Sequence, residues 1–294
     1  MITLFEPAYA KINLTLDVLG KREDGYHDLK SVMQTISLRD DIEIDVGTGK
    51  PWVLRCDKEG IPCDERNLAW KAAKLYCETM GKDPNGLEIR ITKRIPSEAG
   101  LGGGSADAAA VLRGLNRLCG DRLSIEELCA LGATLGADIP FCIKGGGALV
   151  TGIGECLEEV ISMPQTPLVV ACMGEGVSTP WAYGKLDEAH GGFVSPAPTD
   201  ARPDRILRAM ENGATEAACE SFYNIFEEIV PTVQPYVERL KTTMRESGAV
   251  HAMMSGSGPS VFGVFGSVEA ATAAVERLRE MGAAAFVCHP REKY

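Results

Sequence analysis

The chain has 294 residues, 45% of them hydrophobic and 24% charged, a composition that excludes a disordered protein and allows one large domain or two ordinary ones. With 30 basic residues against 41 acidic ones the net charge is −11, which excludes a general pull on nucleic acid or anionic lipid but not a local basic pocket for a phosphorylated metabolite. Ten cysteines occur without one CxxC and the four histidines are scattered, so buried free thiols are expected, not disulfides or a structural zinc site.

The N-terminus, Met-Ile-Thr-Leu-Phe-Glu-Pro, has no basic n-region and no long apolar stretch, so no signal peptide is expected. The first forty residues read as strands. In Lys11 to Val18, Ile12, Leu14, Leu16 and Val18 alternate with Lys11, Asn13, Thr15 and Asp17, which predicts one buried and one polar face, with Lys11 and Asn13 together on the polar one. Residues 41–46 and 87–92 alternate in the same way. Between them, 67–80 reads as a helix stopped by Gly81. A glycine-rich turn at 100–104 leads into a helix over 106–119, closed by Gly120. Ser124-Ile-Glu-Glu127 is a capping box for a short helix ending near Gly136. Strands resume near 147–151 and 168–173, and 191–203 reads as a surface loop. Helices are predicted near 205–212, 216–229 and 233–247. A strand pair around Ser255-Gly-Ser-Gly-Pro-Ser260, a helix near 268–281 and a strand near 284–288 follow. The longest uncharged run, 247–268, is centred on that glycine turn, which argues against a membrane span, so a cytoplasmic protein is expected. Strands with helices twice over, without strict alternation, favour α+β with two subdomains and a boundary near 161–166.

Pro96-Ser-Glu-Ala-Gly-Leu-Gly-Gly-Gly-Ser-Ala-Asp-Ala-Ala109 is the most informative segment. Glycines let backbone approach a ligand closely, and they run into a helix start whose unpaired amides favour an anion. Ser105 is placed to cap that helix or to bind a phosphate or its metal. From these residues alone, a tight turn with glycines for sterics is an equal reading. A P-loop is excluded because no GxxxxGK[ST] occurs, and no GxSxG elbow exists. Asp107 stands where a dinucleotide fingerprint needs Gly or Ala.

Three stretches taken together resemble the signature of the GHMP small-molecule kinases. They are Ala8-Tyr-Ala-Lys-Ile-Asn-Leu14, Pro96-x-x-x-Gly-Leu-Gly-Gly-Gly-Ser105 and Met254-Ser-Gly-Ser-Gly-Pro-Ser260. They span nearly the whole chain in the family's order; each is weak alone and together they are specific. Gly20-Lys-Arg-x-Asp-Gly-Tyr-His27 and Gly136-Ala-Asp-Ile-Pro140 are similar to the branch that phosphorylates a cytidine-diphosphate-linked methylerythritol in non-mevalonate isoprenoid synthesis. The resemblance implies an α+β, two-lobed GHMP kinase fold: a ribosomal protein S5 domain 2-like N-terminal lobe over 1–163 that binds ATP, and a ferredoxin-like C-terminal lobe over 164–294. It implies an ATP- and Mg²⁺-dependent kinase, a monomer or homodimer, acting on a small cytidylyl substrate and on neither nucleic acid nor membrane.

The residue roles implied are these. Asp138 is the base that takes the proton of the acceptor 2-hydroxyl, and Lys11 keeps that carboxylate ionised. Pro96, Gly100, Leu101, Gly102, Gly103, Gly104 and Ser105 hold ATP, with Asn67 and Leu68 on its adenine side, and Ser105 is the candidate metal contact. Asn13, Tyr26, His27 and Tyr183 hold the cytidylyl substrate. Read without the family, Asp138 is a turn former, Lys11 lies on a solvated face, and Asn67 and Leu68 are helix cap and core. The 255–260 segment would be a plain hairpin turn. Two departures stand out: Ala106 where relatives often carry a second serine, and Asp107 where they often carry Asn, an acid placed either to lean on the metal or, the blander reading, to favour the helix N-terminus. The rival readings are another GHMP kinase acting on homoserine, mevalonate or a sugar, and a non-catalytic ATP-binding regulator on the same fold. Gly25-Tyr-His27 disfavours the first, and the presence of both Lys11 and Asp138 disfavours the second.

Overall fold

The computed structural model describes residues 2–191 and 201–293. In chain order the elements are β1 (Ile2–Lys21), β2 (His27–Val46), β3 (Val53–Cys56), α1 (Leu68–Thr79), β4 (Glu88–Thr92), α2 (Gly103–Leu118), α3 (Ile125–Ala133), α4 (Ile139–Lys144), β5 (Gly147–Thr151), β6 (Cys156–Val160) and β7 (Leu168–Cys172). Then come α5 (Thr179–His190), α6 (Ala201–Glu211), α7 (Thr215–Cys219), β8 (Tyr223–Asn224), α8 (Val230–Val233), α9 (Tyr236–Glu246), β9 (Ala249–Met254), β10 (Val261–Phe265), α10 (Val268–Glu280) and β11 (Ala284–Cys288). By packing, the chain groups into two non-contiguous units: Met1–Ala10, Arg39–Ile95 and Gly102–Lys144 in the first, and Lys11–Leu38, Pro96–Leu101 and Gly145–Tyr294 in the second. The division into 1–163 and 164–294 is one along the chain, and we keep it as a proposal.

The first unit sets α1 and α2 beside strands in the order β3-β4-β2-β1, with β4 antiparallel to β2 and parallel to β3. Ala69, Ala72 and Ala73 of α1 and Ala106, Ala108, Ala109 and Ala110 of α2 are all buried, and their small side chains let the two helices pack closely. Asn67 caps α1 and Ser124 caps α3 through the full capping box, as their sequences require. Buried Glu6 of β1 takes Arg113 Nε at 2.8 Å and Arg117 Nη1 at 2.7 Å, and Arg113 also donates to the carbonyls of Cys142 and Pro7. Removing Arg113 leaves buried Glu6 with only the half-exposed Arg117 as its ion-pair partner and takes a donor from the carbonyls of Cys142 and Pro7. Arg113→Met is therefore expected to cost about 3–5 kcal/mol of stability. Urea melts monitored by circular dichroism check this, and an unchanged midpoint would refute it.

The second unit contains an antiparallel four-stranded sheet in the order β11-β7-β10-β9, the ferredoxin-like arrangement. Apolar faces of α9 and α10 cover it: Val237, Leu240 and Met244 from one helix and Ala271, Ala274, Val275 and Leu278 from the other. In the same unit β2 pairs with β5, β5 with β6, and β1 runs parallel to β8.

Several expectations change. The helix expected over 216–229 is broken: α7 ends at Cys219 and a 3₁₀ turn at Ile225–Glu228 follows β8. Asn224 prevents continuity, because its side chain donates to the carbonyls of Met254 and Gly256 and accepts from Phe226 N. The helix α6 starts at Ala201, ahead of its expected start, and most of the 191–203 loop lies outside the described residues. The cysteines are free, but Cys63 and Cys156 are exposed, so burial does not hold for every one. Among the described residues no helix is long and apolar enough to cross a membrane.

Candidate active site

In the second unit the three signature stretches meet through the backbone. Lys11 N donates to Leu101 O at 3.0 Å, and Ser260 N donates to Ala99 O at 3.2 Å. Ser255 Oγ donates to Gly100 O at 3.1 Å and accepts from Asn13 N at 3.3 Å. The glycine stretch up to Leu101 is thus held between β1 and the 255–260 turn. The period-two reading of β1 correctly places Lys11 and Asn13 on one face, but that face is not solvated. Lys11 is 4% exposed and Asn13 1%, and Thr15 and Asp17 beyond them are also buried. Buried polar groups need partners, and the row supplies them: Lys11 Nζ donates to Asn13 Oδ1 at 2.8 Å, and Asn13 Nδ2 donates to Ser31 Oγ at 2.8 Å. A buried ammonium with an ordered amide beside it is suited to meeting an anionic or hydroxylic ligand.

The same unit gathers most of the expected cytidylyl residues. His27 opens β2 and Tyr183 lies on α5, with ring centroids 4.8 Å apart and planes tilted by 35°. Tyr183 in turn meets Phe226 edge-on at 4.9 Å, which fixes its ring. Tyr26 is 61% exposed at the hairpin tip, an open aromatic face next to the buried His27. Asp187, one helical turn past Tyr183, was not anticipated. Its carboxylate meets His27 Nε2 at 2.7 Å and Lys21 Nζ at 2.6 Å. Partial burial works to raise the Asp187 pKa, but Lys21 and His27 outweigh it and hold the carboxyl below its usual range. An ionised Asp187 accepts from Nε2–H, which in the neutral ring leaves Nδ1 as the acceptor. The i, i+4 spacing from Tyr183 to Asp187 was visible in the sequence, but no helix was expected there.

In the first unit, α2 begins at Gly103, within the glycine run and ahead of the expected start. Gly102 caps it in the left-handed region at φ 70°, and no side chain caps it, so Ser105 does not. The helix geometry leaves the amides of Gly103, Gly104 and Ser105 without an intrahelical acceptor, a ready anion cradle. Leu68 borders it, with Cδ1 3.6 Å from the place where a Cβ on Gly104 would stand. Asn67 is occupied as the α1 cap: Oδ1 accepts from Ala69 N at 2.9 Å and Nδ2 donates to Pro62 O at 2.8 Å. Asp138 directly precedes α4 and is half-buried, with its carbonyl accepting from Cys142 N at 3.0 Å.

Asp107 does not serve simply as an acid near a helix N-terminus. Its carboxylate is buried and takes Lys93 Nζ at 2.8 Å, while Lys93 also bonds Asp40. Burial pushes the Asp107 carboxyl up to about 8, against the pull of Lys93. Burial works to lower Lys93, and the two carboxylates overcome it and raise its pKa. Among the described residues no group of three or more His, Cys, Asp or Glu side chains could hold a metal. A Mg²⁺ that takes most of its ligands from phosphate oxygens and water needs little more than one hard protein oxygen, and the Ser105 hydroxyl beside the anion cradle fits that need.

Known proteins match the chain over most of its length. Residues 67–146 match the GHMP kinases N terminal domain, and residues 205–284 match the GHMP kinases C terminal family. The chain is 42% identical over 272 residues to the 4-diphosphocytidyl-2-C-methyl-D-erythritol kinase of Caldicellulosiruptor saccharolyticus, covering 92% of this chain and 91% of that one. It is 43% identical over 258 residues to the enzyme of the same name from Clostridium beijerinckii, covering 88% and 89%. A crystal structure of a 4-(cytidine 5'-diphospho)-2C-methyl-D-erythritol kinase superposes with a TM-score of 0.81 at 35% identity, covering 98% of this chain and 99% of that one. Homoserine kinase from Cytophaga hutchinsonii, at TM-score 0.71 and 20% identity over 99% and 95% of the two chains, shares the fold.

Proposed function

From a chain that belongs to the GHMP kinases, and within them to the 4-diphosphocytidyl-2-C-methyl-D-erythritol kinases, we infer transfer of the ATP γ-phosphoryl group to the 2-hydroxyl of 4-diphosphocytidyl-2-C-methyl-D-erythritol. The products are the 2-phosphate and ADP. The observation that carries the reading is the backbone bonding of the lysine strand and the 255–260 turn to the glycine stretch, at Lys11 N–Leu101 O and Ser260 N–Ala99 O.

Phosphoryl transfer depends on positioning and charge more than on covalent chemistry. The Gly103, Gly104 and Ser105 amides cradle the nucleotide phosphates, with Pro96 to Gly102 forming the approach and Leu68 an apolar wall for the adenine side. Asn67 contributes there through its backbone, its side chain being engaged in the cap. Mg²⁺, when bound, offsets phosphate charge, and Ser105 would be its protein contact. As the acceptor oxygen forms its bond to the γ-phosphorus, the bond from that phosphorus to the β–γ bridging oxygen breaks. The hydroxyl proton passes to the Asp138 carboxylate. The Lys11 ammonium stabilises the developing negative charge, and Asn13, which holds that ammonium, orients the acceptor.

At the cytidylyl end, Tyr26 and Tyr183 offer faces to the pyrimidine, and His27 Nδ1 accepts from its exocyclic amine. His27→Ala is expected to raise KM for the cytidylyl substrate about tenfold or more, the cost of a lost hydrogen bond and stacking wall, and to leave KM for ATP unchanged. The reverse pattern in steady-state kinetics would place the two nucleobases the other way round.

The reaction itself is tested by coupled ADP release with Mg-ATP and four acceptors: the cytidylyl substrate, homoserine, mevalonate and galactose. Turnover with the first alone is expected. Turnover with another would keep the kinase and discard the pocket assignment. Silence with all four alongside ATP binding would overturn the catalytic reading.

A further inference from the structure

Lys93 lies between β4 and the glycine stretch, and its amine is enclosed in the first unit between two carboxylates. Side-chain exposure is 4% for Lys93, 0% for Asp40 and 6% for Asp107. Asp40 stands on β2 and also accepts the backbone amides of Arg94 and Ile95, which fixes the chain just ahead of Pro96. Asp107 stands one turn into α2 and bonds Lys93 through Oδ2, while its Oδ1 is buried with no hydrogen-bond partner. The amine also lies directly beneath the anion cradle: a Cβ on Gly103 would stand 3.4 Å from Lys93 Nζ and 3.0 Å from Ile95 Cγ2.

Stability alone does not account for this arrangement. A buried ion pair is costly to desolvate, and apolar groups of the same volume commonly pack as well or better. An uncompensated carboxylate beside a polyphosphate site also repels the ligand. What the bridge does supply is a fixed link between the sheet and the start of α2, with the Lys93 charge set against that of Asp40.

We infer that Lys93 is a positioning residue for ATP, its ammonium bridging Asp40 and Asp107 so that the Gly103–Ser105 amides are held where the nucleotide phosphates dock. The inference rests on the kinase reading above for the identity of the ligand. Lys93 acts through the cradle and not on the reacting atoms, and Asp107 acts as its anchor on the helix.

The test uses the full chain and two readouts: ATP affinity by titration calorimetry, and steady-state kinetics with both substrates varied. Lys93→Met is expected to weaken ATP binding about ten- to hundredfold, the scale of a misplaced binding group, and to leave KM for the cytidylyl substrate unchanged. Asp107→Asn added to Lys93→Met should recover much of that loss, because it removes a buried titratable acid that has lost Lys93 and gives Asp40 an amide to accept from. Unaltered ATP affinity in folded Lys93→Met, a parallel loss for both substrates, or no recovery in the double variant would overturn the inference. Should Lys93→Met fail to fold, Asp107→Ala breaks only the arm to α2 and is expected to show the same ATP-selective loss; unaltered affinity there overturns it equally. Absence of turnover by the wild type would sink the proposed reaction, while the calorimetric titration would still decide the role of Lys93.

Discussion

Asp138→Asn is expected to lower kcat by about 10²- to 10⁴-fold, the usual contribution of a positioned base, and to leave ATP affinity intact. The acceptor is a tertiary alcohol whose proton is held firmly at neutral pH. Asn has the shape of Asp and can still accept a hydrogen bond, but it cannot take the proton. The side chain is rooted firmly, because α4 directly after it buries Ile139, Pro140, Phe141, Cys142 and Ile143. The substitution therefore changes chemistry and not placement. Steady-state kinetics beside an ATP titration separate the two effects. A variant within tenfold of wild-type kcat would remove Asp138 from the role of base.

Gly100→Ala is expected to be the most damaging single methyl group that can be added to the glycine stretch. Gly100 has φ 77°, in the left-handed region where a side chain costs about 1–2 kcal/mol. A Cβ there would stand far inside contact with the Ser255 carbonyl oxygen and 3.0 Å from Gly258 N. Both are backbone atoms of one turn, closed by Gly258 N donating to Ser255 O at 3.0 Å, so neither can swing aside as a long side chain would. Overpacking of this kind adds about 1–3 kcal/mol. The approach is mutual, since a Cβ on Gly256 would stand 2.8 Å from Gly100 O. The variant should melt well below the wild type and lose most of its turnover. A thermal scan within a degree or two of wild type would show that the turn yields freely.

How far the sequence could be read depended on whether a signal was local. Asn67, Ser124 and Gly120 marked helix ends correctly because caps and stops are decided by a few adjacent residues. The strand–turn–strand at 249–265 and the helix at 268–280 followed from simple periodicity. α4 was missed because it is six residues long and buried on nearly all sides, so it has no polar face to set a period. α5 was missed because it buries only Ala182 and Leu186 fully. Alternation in β1 puts Lys11 and Asn13 on one polar face but cannot show whether that face meets water, as the reading without the family has it, or buried partners such as Ser31. The signature residues of the site were legible as types at fixed spacing. Their supports were not: Asp187 reaches His27 across 160 positions, and Asp40, Lys93 and Asp107 come from three separate segments. No short window contains such a set.

The tip of the β1–β2 hairpin bears on how quickly a ligand can be captured. Arg22 N donates to Tyr26 O at 2.8 Å, Gly25 N to Arg22 O at 3.1 Å, and Tyr26 N to Asp24 Oδ1 at 3.0 Å. Arg22 adds ion pairs to Asp24 and Asp28, both at 3.1 Å. The backbone that carries Tyr26 is therefore held by its own local bonds, and a base docked on that ring would order little more than one phenol. Immobilising a side chain costs about 0.5–1.5 kcal/mol, far less than ordering a loop. Association should then proceed in a single kinetic phase without a slow rearrangement, and differences in affinity among nucleobases should appear in how long each remains bound.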